Sequence, residues 1–200
     1  MRTLIYTAFV SLDGVVDSPG GGPTEPHRSA GWTFQDIEHL DEAYELKGRE
    51  QDEASALMMG RSSYQAFSPV WPGIEEFAGY KVMPKYVVSS TLTDADLVDD
   101  WGDTTILASL EEVARLKDTD GGPIIIHGSA TLVRNLADAG LIDRYHLLVF
   151  PVILGAGKRM FSDTDKDKQS LTLVEHDSYT NGIQKLVYDV APQGIVTGPA

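Results

Sequence analysis

The order of strand-like and helix-like segments is the feature that most limits how this chain can fold. In the first two thirds, short apolar runs alternate with segments of helical periodicity, an order typical of parallel strands joined by helices. In the last third, β-like runs follow one another without a helix between them, which favours antiparallel pairing. The pattern therefore predicts an α/β fold. One mixed, mostly parallel sheet is expected to carry helices on both faces and an antiparallel C-terminal hairpin.

The predicted segments have clear boundaries at several points. Helical periodicity predicts a helix over Phe34–Arg49, and Ser109 and Ser129 are expected to cap two later helices. Asn181-Gly182 between two β-like runs is a strong hairpin signal. The predicted strands include Thr3–Val10, Lys85–Ser89, Thr104–Ala108, Pro123–His127, Tyr145–Ile153, Leu171–Glu175 and Ile183–Val190.

Length and the loop signals predict one domain. At about 150 residues per domain, 200 residues make a single unit, expected over residues 1–190 with a flexible tail at 191–200. Glycine and proline mark Asp17–Gly31 as a long loop.

Composition excludes several classes of function. Sixteen Lys and Arg face thirty Asp and Glu, a net charge of −14, which argues against sequence-independent nucleic-acid binding and against docking on anionic membranes. The chain has no cysteine, so disulfides and thiolate metal sites are excluded, and its five histidines lack zinc-enzyme spacing. No apolar run is long enough to span a bilayer, and the N-terminus has no signal-peptide pattern. We expect a cytoplasmic protein without a metal site.

Three strand ends carry residues that suit an anionic ligand. The first is Met59-Gly60-Arg61-Ser62-Ser63, the second Ser89-Ser90-Thr91, and the third His127-Gly128-Ser129. Ligands of parallel sheets bind at the carboxyl ends of strands, where glycine, hydroxyls and arginine suit phosphate. The alternative interpretation is that each segment is a tight turn whose serine satisfies nearby backbone groups.

The order of the motifs resembles a known family more specifically than any single motif does. Ser11-Leu12-Asp13-Gly14 follows the first strand, Gly60-Arg61-Ser62-Ser63-Tyr64 comes next, and His127-Gly128-Ser129 follows later. The last motif is the segment from Phe150 to Phe161, FPVILGAGKRMF. Together they resemble the dihydrofolate-reductase-like superfamily. The most similar branch is the C-terminal reductase domain of the bifunctional riboflavin-biosynthesis deaminase–reductase (RibD), over nearly the whole chain.

This resemblance implies an NADPH-dependent reductase. Arg61 would bind the 2′-phosphate, and Ala8 and the segment Val15–Asp17 would border the nicotinamide. Ser62 and Ser63 at the first strand end would hold the diphosphate, together with Gly128 and Ser129 at the third. Ser89 and Ser90 at the second would lie along the adenosine. The implied cofactor residues are Ala8, Val16, Gly60, Arg61, Ser62, Ser63, Ser89, Ser90, Gly128 and Ser129.

The resemblance also implies a small heterocyclic substrate, pyrimidine- or pterin-like, that receives a hydride at a C=N or C=O carbon. Dihydrofolate reductases anchor the heterocycle through a carboxylate on the helix after the substrate loop. Asp36 is the predicted catalytic acid, with Glu38 and Asp41 as further candidates, while a simple helix-terminal charge is the alternative for Asp36.

A phosphorylated substrate would need a nearby cation, for which Arg28 and the pair Lys158-Arg159 are candidates. A homodimer is also implied. Two other functions remain open: dihydrofolate reductase activity proper, and nucleotide binding without turnover.

Overall fold

One eight-stranded sheet organises the molecule. The computed structural model describes residues 1–22, 27–161 and 169–191. The strands are β1 (Leu4–Ser11), β2 (Ala56–Gly60), β3 (Lys85–Val88), β4 (Thr104–Leu107), β5 (Ile124–His127), β6 (Arg144–Phe150), β7 (Leu171–Ser178) and β8 (Gln184–Val190). The α-helices are α1 (Asp41–Glu53), α2 (Arg61–Phe67), α3 (Ala78–Val82), α4 (Leu110–Lys117) and α5 (Ala130–Asp138).

The strand order is β4-β3-β2-β5-β1-β6-β8-β7. The first six strands in this order are parallel, while β8 is antiparallel to β6 and β7 is antiparallel to β8. Gly182 adopts a φ of +89° in the turn between β7 and β8, a conformation that glycine tolerates without strain. The predicted mixed sheet and its C-terminal hairpin are confirmed.

Side chains of β1 alternate between the two faces of the sheet, and helices cover both. Tyr6 packs in a core cluster with Val113 of α4 and Leu136 of α5. Ile5, on the other face, packs in a cluster that contains Tyr64 of α2. Helix α1 covers the remaining part of that second face. The site residues at the strand ends are therefore held by a sheet that is buried on both sides.

Helix α1 begins later than predicted. The sequence pattern predicted a helix from Phe34, but residues 31–37 form turns and the helix starts at Asp41. Asp36 has a φ of +58°, a left-handed conformation that interrupts a right-handed helix. Trp32 and Thr33 are buried and bond the carbonyls of Asp17 and Pro19. The apolar residues before Asp41 therefore pack the loop. Their spacing in the sequence happens to match that of a helix.

The edge strand β7 is exposed. Leu171, Leu173 and Val174 are 38–49% exposed, and the register shifts between Leu173 and Glu175. Within the described ranges, no helix is long and apolar enough to cross a membrane. The predicted tail from residue 192 onward lies outside the described residues.

Candidate functional site

Two of the three predicted strand-end turns meet directly. The Ser129 hydroxyl accepts a hydrogen bond from the Gly60 N–H at 2.6 Å and donates one to the Ser63 hydroxyl at 2.7 Å. The meeting follows from topology, because β2 and β5 are neighbouring parallel strands whose carboxyl ends lie at one edge. Ser129 does not cap α5 as predicted: its φ is +60° and its hydroxyl makes no cap bond, because it is committed to the β2–α2 turn.

Gly128 makes this close approach possible. It has a φ of +60°, and a Cβ added there would lie 2.8 Å from the Ser63 hydroxyl oxygen and 3.1 Å from the ring of Phe67. Both the backbone conformation and the lack of space demand glycine. We call this arrangement of Gly60, Ser63, Gly128 and Ser129 the serine junction.

The remaining predicted phosphate contacts surround the serine junction. Arg61 and Ser62 begin α2 and are exposed, and no ion pair within the described ranges uses Arg61. Ser89 and Ser90 follow β3, whose last residue, Val88, lies opposite Gly60 in the ladder. The Ser89 hydroxyl accepts from the N–H groups of residues 91 and 92, so it also stabilises its own turn.

Ala8 is buried in β1, and Val16 lies beyond the end of that strand. The Val16 N–H bonds the carbonyl of Lys158 at 2.9 Å, which ties this segment to the loop after β6. Asp13 adds a second connection, because its carboxylate accepts from the N–H groups of Leu154 and Gly155. Hydrogen bonds from the Ser11 hydroxyl and these two amides lower the pKa of Asp13 to about 2.

A cavity of about 430 Å³ opens beside this loop. Its lining includes Arg134, Lys158, Arg159 and Phe161. Lys158 and Arg159 also contact Asp17 and Asp13 respectively, at 3.5 and 3.8 Å. Arg134, on α5, was not identified from the sequence, because only the fold brings α5 beside this loop. Arg28 contacts the same loop, where it donates to the Leu154 carbonyl at 3.4 Å, but it does not line the cavity.

The predicted acids are all on the surface. Asp36, Glu38 and Asp41 are exposed, and Asp36 does not lie on α1 as the prediction required. The fully buried carboxylate of α1 is instead Glu50, whose side chain is 0% exposed. Sequence reasoning missed it, because the predicted helix ended at Arg49, whereas the observed helix continues to Glu53.

Glu50 binds two members of a polar row that crosses three strands. Register places His127 of β5, Thr7 of β1 and His146 of β6 side by side. The Glu50 Oε1 accepts from the Thr7 hydroxyl at 2.7 Å and from His146 Nδ1 at 2.9 Å. Since a carboxylate only accepts, His146 carries its proton on Nδ1. Glu50 Oε2 is buried and has no hydrogen-bond partner among the described residues.

Lys47 completes the group, which we call the α1 cluster: Thr7, Lys47, Glu50 and His146. The Lys47 ammonium donates to the Thr7 hydroxyl and lies 3.5 Å from Glu50 Oε1. Burial raises the pKa of Glu50, but the charge of Lys47 and the hydrogen bond from His146 outweigh it, and the pKa falls to about 2. Glu50 is therefore an anion at neutral pH.

His127 lies beside the α1 cluster at the end of β5. Its Nε2 lies 2.9 Å from the Tyr80 hydroxyl, and its ring packs edge-on against Trp71. Burial lowers the pKa of His127 to about 4, with the charges of Glu50 and Lys47 acting in opposite directions. The imidazole is therefore neutral at pH 7, and with Tyr80 it makes a neutral polar pair.

Comparison with known proteins finds relatives that cover nearly the whole chain. The uncharacterized protein YyaP of Bacillus subtilis is 26% identical over 194 residues, covering 94% of each chain. A putative riboflavin biosynthesis protein from Shewanella sp. PV-4 superposes with a TM-score of 0.71 at 18% identity, covering 96% of this chain and all of that one. Dihydrofolate reductase from Enterococcus faecalis, in complex with NADP(H), gives 0.56 at 15% identity, covering 95% and 97%.

The two structures show that this chain has the dihydrofolate reductase fold. The family described as the RibD C-terminal domain matches residues 2–185, which includes the serine junction, Arg61 and the whole α1 cluster. The chain is a member of the RibD C-terminal domain family.

Proposed function

We propose that this protein is an NADPH-dependent reductase of the riboflavin-biosynthesis type, acting on a pyrimidine- or pterin-like heterocycle. The observation that carries the proposal is the serine junction. It places two glycine turns, two hydroxyls and the exposed Arg61 at adjacent strand ends in a member of this family. Such strand ends are where parallel α/β sheets bind nucleotides.

The residues present fit a dinucleotide with a 2′-phosphate. Arg61 offers a planar fork of donors for a phosphate, and it has no competing ion pair within the described ranges. Ser62 and Ser63 would supply hydroxyls for the diphosphate, and Gly128, which already approaches Ser63 closely, would let the β5–α5 turn contact it. Ser89 and Ser90 would lie along the adenosine. The bound nicotinamide, bordered by Ala8 and Val16, would supply the hydride.

The cavity beside the loop after β6 supports a phosphorylated substrate. Arg134, Lys158 and Arg159 bring three cations to one space of about 430 Å³. A phosphate there would compete with Asp17 and Asp13 for two of the three. Asp36 remains a predicted contact to the heterocycle. It would make this contact from an exposed position in the turns before α1.

We further propose a cytoplasmic homodimer that buries β7. An exposed edge strand with apolar Leu171, Leu173 and Val174 is a surface that a second copy can cover. Sedimentation equilibrium at micromolar concentration tests this assembly. A monomer throughout that range would exclude it.

A cofactor titration tests the enzymatic proposal. NADPH and NADH are titrated against the full chain by nicotinamide fluorescence, and NADPH oxidation is then followed at 340 nm. The substrates are 5-amino-6-(5-phosphoribosylamino)uracil and dihydrofolate. We expect NADPH binding and turnover of the uracil derivative. Turnover of dihydrofolate alone would indicate dihydrofolate reductase activity, binding without oxidation would indicate a nucleotide-binding protein, and no binding would exclude both enzymes.

A further inference from the structure

The α1 cluster is charged and buried, and the proposed cofactor site does not use it. Apolar neighbours such as Ala43, Leu46 and Leu148 are buried on the same side, so the fold was able to fill this space with apolar residues. A buried ion pair gains little stability over such residues, because both charges lose their hydration. Perturbed charged groups beside a ligand site are common among functional residues.

Lys47 is the member of the cluster that faces outward. Its side chain is 18% exposed, whereas those of Glu50 and His146 are 0% and 5% exposed. The ammonium lies 5.1 Å from the centre of the half-buried Phe9 ring and donates to Thr7. The side chains of Thr7 and Phe9 lie on the α1 face of the sheet, whereas that of Ala8 packs on the opposite face. Thr7 is the last residue of β1 that pairs with β5, so the cation contacts β1 where these two strands separate, next to the backbone of Ala8, which is proposed to border the nicotinamide.

We propose that Lys47 is a catalytic residue of the reductase, which protonates the nitrogen or oxygen of the substrate's reducible C=N or C=O group. Thr7 and Glu50 are positioning residues that orient its ammonium. This inference rests on the proposed function. It defines the substrate as a heterocycle or attached sugar whose reducible bond ends in a basic nitrogen or oxygen.

The step balances in atoms and electrons. NADPH gives a hydride, with two electrons, to the carbon and becomes NADP⁺. The π electrons of the C=N or C=O bond move to the heteroatom, which takes a proton from Lys47. Lys47 is left as a neutral amine and regains a proton from solvent through its exposed side. No further oxidant or reductant is required.

The surroundings of Lys47 suit a proton donor. Burial lowers its pKa below the ordinary lysine value, and the Glu50 carboxylate opposes that change. The other titratable groups around it are His127 on β5, His146 on β6 beyond Glu50, and Tyr80 on α3 beside His127. Since Glu50 is the anion of this set at neutral pH, it is the group that keeps Lys47 protonated.

Substitutions of Lys47 separate charge from proton donation. The assay is NADPH oxidation with 5-amino-6-(5-phosphoribosylamino)uracil and dihydrofolate, beside cofactor titration. We expect Lys47→Met to lower kcat about 100-fold or more, with NADPH affinity within about twofold of wild type. Lys47→Arg keeps the charge, but a guanidinium is a much weaker acid than an ammonium, so KM should recover while kcat stays low. Arg49→Met, which removes an exposed cation two residues away, is the matched control.

A pH profile tests the positioning role of Glu50. The protonated amine is the active form, so kcat falls as pH rises through the Lys47 pKa. Glu50→Gln removes the anion that raises this pKa, and the fall should therefore move to lower pH. Thr7→Val gives a second test if Glu50→Gln does not fold; it should lower kcat about 10-fold. A merely structural Glu50 or Thr7 would reduce the amount of folded enzyme without moving the profile.

The outcomes distinguish this inference from the function on which it rests. Wild-type turnover with kcat within threefold in Lys47→Met overturns the role of Lys47 and leaves the reductase in place. Full recovery of kcat in Lys47→Arg overturns proton donation. NADPH binding without hydride transfer to either substrate overturns the proposed function and the role of Lys47 with it.

Discussion

The serine junction and the α1 cluster solve the same structural problem in opposite ways. Each joins chain segments far apart in sequence, Gly60 to Ser129 in one and Glu50 to His146 in the other. The junction does so with neutral, partly exposed hydroxyls, whereas the cluster uses an ion pair that is almost wholly removed from water. Neutral bonds at the surface are readily exchanged for bonds to a ligand, while a buried charge holds its partners in place.

The contrast between the serine junction and the α1 cluster would be wrong if Glu50 could be removed with little loss of stability. Glu50→Ala should lower the free energy of unfolding by about 3–5 kcal/mol, because Lys47 and His146 lose their buried partner. Urea denaturation at pH 7, followed by circular dichroism, measures the change. Glu42→Ala, at an exposed position of the same helix, should change it by about 0.5 kcal/mol or less. A loss below about 1 kcal/mol for Glu50→Ala would contradict the assignment of a buried ion pair.

Arg61 is the one charge proposed for the neutral region. Arg61→Ala should weaken NADPH binding by about 1.5–3 kcal/mol, which is about 10- to 100-fold in Kd, and leave NADH binding unchanged. Only NADPH carries the 2′-phosphate. Fluorescence titration of both cofactors measures the effect, with Arg115→Ala on α4 as the control. Equal losses for NADPH and NADH would remove Arg61 from the 2′-phosphate site.

His127 tests the effect of burial on a neutral group beside the α1 cluster. Its pKa is about 4 in the folded chain, against 6.5 for an ordinary histidine, so the unfolded chain binds more protons between these values. Stability from this group is therefore complete above pH 6.5 and is lost as pH falls toward 4. Allowing for partial exposure, we expect a loss of about 2 kcal/mol in this window. His127→Gln should flatten this part of the stability profile; an unchanged slope would contradict the neutral imidazole.

Ser129 should give the smallest effect. Ser129→Ala removes the bonds to Gly60 and Ser63 and should cost about 1 kcal/mol of unfolding free energy. Binding of NADPH and NADH should weaken equally, since the diphosphate is common to both. Ser109→Ala is the control. Ser109 caps α4, so its loss should lower the free energy of unfolding by a similar amount, but it lies away from the site. Cofactor affinity unchanged by Ser129→Ala would separate the serine junction from the diphosphate.

The position of the serine junction in the sheet was predictable from the sequence, because its signals lie in short local segments. Glycine followed by serine after a β-rich run signals a strand-to-helix turn, and parallel strand ends necessarily share one edge. Gly60 and Gly128 could therefore be placed at the same edge from the sequence alone. The detailed role of Ser129 was not available, because capping is a local expectation and its real partners lie 66 and 69 residues away.

The α1 cluster was not predictable in the same way. Thr7 and His146 each lie within an apolar, β-rich run, and nothing near either residue in the sequence indicates a partner for its polar side chain. Only the register of β1 against β6 shows that they are neighbours, and register depends on the whole sheet. Asp36 failed as a helix residue for the opposite reason, since its left-handed backbone comes from loop packing that periodicity does not describe.

The central position of β1 in the sheet affects how the protein folds during translation. Of the eight strands described, β1 is translated before the others, and it lies between β5 and β6, so Leu4 can pair only after Ile124 has been translated, and Ile5 only after Arg144. Both edges of an apolar strand thus remain unpaired until more than half of these 200 residues have been translated. Contacts of such sequence separation slow folding and leave strand edges open to wrong partners. Substitutions in β1 are therefore expected to reduce the yield of folded protein during synthesis more than they reduce its final stability.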